Sequence, residues 1–408
     1  MVPDNDKPDT AMTRREALTT LTRLAAVSLV PAVGCTSKQT EASQKEASAE
    51  KVPKAHAQPA AELPKEVSMG DPVLNLDILP KGRPWPTVEP FLFCVHHDDD
   101  YPKANDAHGP AVSLAGRNLG NDFGRKDGWS MYHGRRVPGF PRHPHRGFET
   151  VTVVRSGLID HADSLGAIAR YGRGDVQWLT AGDGINHAEM FPLLSQTERN
   201  PIDFFQIWLN LPKKNKRVPP SFAMYWRDDI PKITLADQAN RRTELTLVAG
   251  SYGTTKAPKP PQHSWASEAT SDLAIWTFKM DAKARFTIPK TGAGVNRSLY
   301  LMRGEGLQIA SRSVPNMRLI ALDPTLDATL TNGNAPSELL MLQARPIGEP
   351  IARHGPFVMN TREEIMQAYQ DYRRTGFGGW PWKDDAPVHG SEDKRFARRP
   401  DGSVEEAT

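Results

Sequence analysis

The sequence predicts an all-β fold: two tandem barrels followed by one short C-terminal helix. Three observations predict it. Glycine (31) and proline (35) are abundant among the 408 residues, so turns are frequent and long helices are disfavoured. Short β-branched or apolar runs recur between turn residues from Glu149 to Ala344. Helical periodicity with its own start and stop signals is found only after Thr361.

The N-terminal segment lies outside this pattern. No aromatic residue precedes Trp85, so the first part of the chain has little to bury. Thr13-Arg14-Arg15-Glu16-Ala17-Leu18 sets twin arginines before a mildly apolar run, Leu18 to Gly34, interrupted by Arg23. That run is too short and too polar for a membrane span. It ends in Ala32-Val33-Gly34-Cys35, and the segment resembles a twin-arginine export signal with a lipoprotein cleavage box, with Ala32 where leucine is commonest. Residues 1–35 are therefore expected to be a signal with Cys35 lipidated. Residues 36–66, rich in Ala, Glu, Lys, Gln and Ser, are expected to be a flexible linker. On this reading the protein is exported, either periplasmic or tethered to the membrane through Cys35.

The first barrel is assigned to residues 67–216. Glu149 to Arg155 is a β-branched run ending at Ser156-Gly157. Val176 to Thr180 lies between Gly174-Asp175 and Ala181-Gly182. Phe204 to Leu211 alternates Phe205, Ile207, Leu209 and Leu211 with Gln206 and Asn210, the period of a strand. The basic, proline-containing stretch Lys213 to Pro220 breaks the apolar signal and marks a boundary. The second barrel, residues 217–350, has runs at Leu245–Ala249, Leu273–Met280, Leu299–Arg303, Arg318–Leu322 and Leu339–Ala344. In residues 351–385, Thr361-Arg362-Glu363-Glu364 is a capping box, and Ile365, Ala368, Tyr369 and Tyr372 recur on one face. Gly376, Gly378 and Gly379 stop that helix, and the charged residues 386–408 are expected to be a mobile tail.

Charge and cysteine content narrow the function. Lys plus Arg (51) nearly balances Asp plus Glu (48), a net charge of +3, which argues against a nucleic-acid partner. Two cysteines exclude a disulfide scaffold and a four-cysteine zinc site. Cys94, between Phe93 and Val95, is expected to be a buried apolar filler. P-loop, dinucleotide-binding and GxSxG patterns are absent from the sequence.

The most informative segment is His143-Pro144-His145-Arg146-Gly147-Phe148-Glu149. Two histidines at i and i+2 of an extended segment share a face, and Pro144 disfavours a helix. His187-Ala188-Glu189 repeats the spacing. Two such pairs on neighbouring strands converge on one ion as three imidazoles and one carboxylate, a set suited to iron, manganese, nickel, copper or zinc. A lone pair of this kind would equally fit histidines hydrogen-bonded in turns; the repetition favours a metal.

These motifs, with Gly174-Asp-Val-Gln-Trp178, Thr180-Ala-Gly182, His187-Ala-Glu-Met190 and Gln206-Ile-Trp-Leu-Asn-Leu211, resemble the pirin family of the cupin superfamily. His354-Gly-Pro-Phe-Val-Met-Asn-Thr361, with Glu363 and Glu364, extends the resemblance through the second half, so that it covers most of Pro90 to Gly378. It implies a bicupin fold with one Fe2+ in the N-terminal barrel, held by His143, His145, His187 and Glu189, and a C-terminal barrel without metal. In agreement, His263 is the one histidine between Ala188 and Arg353. Glu149 stands where many other cupins carry the ligand carboxylate, and both acids have the parity to face inward. Glu189 is favoured because it shares a strand face with His187, leaving Glu149 a supporting role.

Several other residues invite a reading. His96-His97-Asp98-Asp99-Asp100 looks metal-binding, but consecutive histidines on a strand point apart, and three aspartates usually mark a solvated turn. Gln206 is either a ligand-facing amide or one at the core rim. Phe148 and Trp178 are expected mainly in core packing, and His161 mainly at the surface. Ala104 to Pro141, with Trp129, Tyr132, His133, Arg135 and Arg136, is longer than in compact pirins and is expected as an insertion beside the barrel mouth. The resemblance implies a quercetin 2,3-dioxygenase-like reaction, in which O2 cleaves a flavonol or related enol and Glu189 takes the enolic proton. The alternative it implies is a non-enzymatic metal or redox sensor. A small aromatic or enol substrate is thus the expected partner, and a monomer is favoured.

Overall fold

The computed structural model describes residues 70–407. The expected signal 1–35 with Cys35, and the expected linker 36–66, lie outside the described residues.

Ten strands come first: β1 (Val73–Ile78), β2 (Phe91–Tyr101), β3 (Gly139–His145), β4 (Phe148–Ser156), β5 (Leu158–Asp163), β6 (Ile168–Gly172), β7 (Val176–Thr180), β8 (Ile185–Met190), β9 (Asn200–Asn210) and β10 (Ser221–Tyr225). The five-stranded sheet β10-β7-β4-β9-β2 forms one wall of the first barrel. The other wall contains β6-β5-β8-β3.

The second barrel uses β11 (Lys232–Ala236), β12 (Arg242–Ala249), the short hairpin β13 (Ser251–Tyr252) and β14 (Thr255–Lys256), β15 (Ala274–Met280), β16 (Arg285–Ile288), β17 (Asn296–Arg303), β18 (Leu307–Ile309), β19 (Arg312–Val314), β20 (Arg318–Leu322), β21 (Ala328–Thr331) and β22 (Ser337–Ala344). Its walls are a seven-stranded sheet, β1-β20-β17-β22-β15-β12-β11, and a four-stranded one, β16-β21-β18-β19. All named strand pairs are antiparallel, as expected for a fold of short strands and tight turns. The architecture is two tandem cupin barrels, as the resemblance implied.

Strand alternation distributes the apolar side chains between two cores. Along β4 and β9, Val151, Val153, Phe205, Ile207 and Leu209 face the second barrel and pack with Ile275, Tyr300, Leu340 and Leu342. Trp178 and Cys94 join this seam, so both are packing residues. On the opposite face Val154 and Phe204 fill the first barrel with Tyr101, Ile159, Tyr171 and Ile185.

Three boundaries differ from expectation. β1, assigned to the first barrel, pairs with β20 of the second, where Val73 shares a core with Ile320 and Leu322. β10, assigned to the second barrel, pairs with β7 of the first, because Phe222 and Met224 belong to the first barrel's core. The tail is not loose. Its strands β25 (Phe396–Arg398) and β26 (Val404–Glu406) extend the first barrel's sheet from β6, with Ala397 fully buried.

The buried Arg170 explains that docking. It pairs with Asp160 through two 2.7 Å contacts and also donates to the carbonyls of Gly390 and Glu392. A buried guanidinium needs its donors occupied, and the tail supplies two acceptors.

Between second barrel and tail lie the hairpin β23 (Ala352–His354) and β24 (Phe357–Met359) and the helix α1 (Arg362–Thr375). The capping box is complete: Thr361 Oγ1 accepts from the Glu364 amide at 3.2 Å, and Glu364 Oε2 accepts from the Thr361 amide at 3.0 Å. Gly376, at φ 57°, ends the helix in the left-handed conformation. The helix returns to the first barrel through Asp371, whose Oδ2 accepts from Arg146 Nη1 at 2.8 Å. Residues 104–141 also fold onto this barrel, with Trp129 and Tyr132 buried in its core cluster.

Candidate metal centre

The centre is built on β3 and β8. Their antiparallel register sets His143 opposite His187, and His145 opposite Ile185. His143 and His145 share the inner face because side chains alternate along the extended strand and the two are separated by Pro144 alone. All three histidines are buried. Their candidate ligand atoms lie within 4.8 Å of one another, and their ring centroids are 4.4 to 4.9 Å apart.

The electrostatics suit a cation whose ligands must be deprotonated. Burial pushes His143 down to about 4, partly opposed by the Pro141 carbonyl. Burial and the neighbouring imidazoles hold His145 and His187 well below the ordinary histidine range. His143 Nδ1 meets the Pro141 carbonyl at 2.8 Å, which orients the ring and leaves Nε2 inward. Among the described residues, both ring nitrogens of His187 and Nδ1 of His145 are buried without a hydrogen-bond partner. A fully buried imidazole with two orphaned nitrogens is costly, and a metal ion bound to one of them relieves part of that cost. The donor set therefore fits a transition metal.

Glu189 stands beside this triad. Its Oε2 is 3.9 Å from His187 Nε2 and accepts from Gln206 Nε2 at 2.6 Å; its Oε1 has a longer, 3.4 Å contact from the Thr152 hydroxyl. Burial raises its carboxyl above the usual range, opposed by the Gln206 amide. Gln206 is thus the amide that holds the acid. Glu189 is not within the mutual 4.8 Å group of the three histidines, although it lies on the same wall.

Glu149 is elsewhere, contrary to its expected inward parity. Its Oε2 accepts from Ser264 of the second barrel at 2.6 Å and its Oε1 from Thr180 at 2.8 Å. The cause is Gly147, a turn residue at φ 83° between β3 and β4. The turn resets the alternation, so Phe148 takes the inner face against His145 and Glu149 points to the seam.

The aspartate run is not a turn either. It belongs to β2, where Asp99 is buried and accepts from Tyr132 and from the Ser130 amide. His96 and His97 diverge as expected: His96 contacts Asp203 at 2.9 Å, and His97 stacks on Phe204 in the barrel. His161, expected at the surface, is fully buried with its ring 5.7 Å from His187. Its signal was present in the sequence, since His161-Ala162-Asp163 has the same i, i+2 spacing as the other two pairs.

Residues 81–209 match the pirin family model, and residues 275–378 match the model of the pirin C-terminal cupin domain. The chain belongs to the pirin family. A Pseudomonas aeruginosa protein named provisionally as a quercetin 2,3-dioxygenase is 36% identical over 241 residues, which cover 59% of this chain and 79% of that protein. Rat pirin is 33% identical over 262 residues, covering 62% of this pirin and 83% of the rat protein. The crystal structure of a quercetin 2,3-dioxygenase from Acinetobacter baumannii aligns with a TM-score of 0.56 at 25% identity, covering 76% of this chain and 96% of that one. The tail that docks on β6 lies beyond both matched models.

Proposed function

We propose that this pirin is a metal-dependent dioxygenase that cleaves a flavonol or related enol with O2, with one Fe2+ held by His143, His145, His187 and Glu189. The observation that carries the reading is the buried imidazole triad with its orphaned nitrogens, next to an acid fastened by Gln206. Manganese, nickel, copper and zinc suit the same donors. When bound, a redox-active metal supplies a site where an enol oxygen and O2 meet, relieving the spin barrier to their reaction.

The protein's own contribution follows from the geometry. His143, His145 and His187 are kept neutral by burial and so present lone pairs rather than charge. Gln206 pins Oε2 of Glu189, leaving Oε1, with its longer Thr152 contact, as the freer oxygen to receive the enolic proton. Phe148 and Trp208 stand against His145 and exclude water from that side. The twin arginines and Cys35 support an exported, lipid-tethered enzyme, which cell fractionation with and without Cys35→Ala tests.

Oxygen uptake on adding quercetin to iron-loaded protein is the direct test. The reading expects turnover that His187→Ala abolishes. Metal-dependent binding of a protein partner with no oxygen uptake would instead support a sensor.

A further inference from the structure

Four ionisable side chains share one face of the β5–β8 pair. His161 stands directly across from Glu189, and Asp163 directly across from His187. Alternation therefore places His161 and Asp163 on the wall that carries the metal centre. Both are fully buried.

Asp163 fixes the imidazole. Its Oδ2 lies 3.1 Å from His161 Nε2, and its Oδ1 accepts from the amides of Leu165 and Ala167 at 2.9 and 3.1 Å. A carboxylate only accepts, so in the neutral ring Nε2 carries the proton and Nδ1 keeps a lone pair. That Nδ1 is buried and has no partner among the described residues. The His161 ring stands 5.7 Å from His187, against 4.4 to 4.9 Å between rings within the triad, and its Nε2 is taken by Asp163, so a metal at the triad leaves Nδ1 unexplained.

Two residues after the helix hold the backbone of this corner. His389 Nε2 donates to the His161 carbonyl at 2.7 Å, and Trp382 Nε1 donates to the Asp163 carbonyl at 2.9 Å. Both residues lie beyond the matched models.

We propose that His161, oriented by Asp163, is a further ligand-binding residue of this centre: its Nδ1 accepts a hydrogen bond from a hydroxyl of the molecule bound beside Glu189. The proposal rests on the dioxygenase reading in placing that molecule inside the first barrel. It narrows the substrate class. Glu189 is already held by Gln206 and Thr152, whereas the His161 lone pair has nothing to accept. The site therefore prefers an enol carrying additional hydroxyl groups over one whose single hydroxyl is committed to the metal.

Anaerobic titration of the metal-loaded full-length protein with quercetin and with 3-hydroxyflavone, which lacks the additional hydroxyls, tests this. Wild type is expected to hold quercetin about tenfold more tightly, the scale of one buried hydrogen bond. His161→Gln keeps a donor for Asp163 but removes the acceptor at Nδ1; it is expected to erase the preference at unchanged metal content. His161→Asn, with a polar group where Nδ1 stood, is expected to retain part of it. A preference preserved in His161→Gln overturns the inference and leaves the dioxygenase reading standing. Failure of wild type to bind either flavonol overturns both. Nitrogen-15 NMR of the zinc-loaded wild type provides a test that needs no variant: a proton on His161 Nε2 supports the inference, and a proton on Nδ1 overturns it.

Discussion

Replacing Glu149 with glutamine should make the protein more stable at mildly alkaline pH and leave it nearly unchanged at acidic pH. Glu149 is fully buried in the seam between the barrels, hydrogen-bonded by Ser264 from one side and Thr180 from the other. Burial raises its carboxyl from 4.5 to about 7, the two hydroxyls only partly opposing the shift. The folded protein therefore binds this proton more tightly than the unfolded chain. The stability it contributes is complete below 4.5 and is lost as pH rises through about 7. The gap between those values corresponds to roughly 3 kcal/mol, the cost of keeping the carboxylate charged in the seam. Glu149→Gln retains the shape and cannot charge, and Ser264 and Thr180 can reverse their hydroxyls to meet the amide. Urea unfolding of both proteins from about pH 4 to about pH 8 measures the effect. The curves should nearly coincide at the acidic end and separate by up to about 3 kcal/mol in favour of the variant at the alkaline end. Parallel curves, or a variant less stable at alkaline pH, would show that Glu149 is not held protonated by burial in the seam.

Three further outcomes follow from the same contacts. Arg170→Ala leaves Asp160 buried without its partner and frees the carbonyls of Gly390 and Glu392; it should cost about 3–5 kcal/mol and expose residues 386–407 to limited proteolysis. Gln206→Leu removes the 2.6 Å donor that favours the charged form of Glu189, so the acidic limb of the pH–rate profile should move to higher pH while metal content stays constant. Gly147→Ala forces a side chain into a position with φ 83° and puts its Cβ 2.0 Å from the Val358 carbonyl; displacing that turn beside His145 should accelerate metal loss to a chelator.

The three-histidine cluster was legible because its signal is local. Two i, i+2 pairs on extended segments, one containing Pro144, need only strand alternation to put His143 with His145 and His187 with Glu189. The same logic misplaced Glu149, because parity survives along a strand but not across Gly147, whose positive φ restarts the count. His161 was missed although its spacing to Asp163 was the same, since burial depends on β5 being covered by Phe222 and by the tail, which are distant in sequence. The exchange of β1 and β10 between barrels is likewise non-local, decided by which core receives Val73 and which receives Phe222 and Met224. The tail carries too little apolar surface to read as structure. A three-residue strand and one buried alanine leave almost no pattern, and its attachment comes mainly from Arg170, Arg395 and His389 meeting groups far away. The capped helix, in contrast, carries all of its instructions within itself.

The proposed function stands on one metal ion held by three imidazoles and the carboxylate of Glu189 inside the first barrel. A crystal structure of the protein purified from its own host, with anomalous data at the metal edge and elemental analysis of the same sample, addresses it most directly. One ion per chain is expected, with its anomalous peak within about 2.0–2.2 Å of a nitrogen of each of His143, His145 and His187 and of an oxygen of Glu189. A protein free of transition metal, or a peak bound elsewhere with these four side chains unligated, would contradict it.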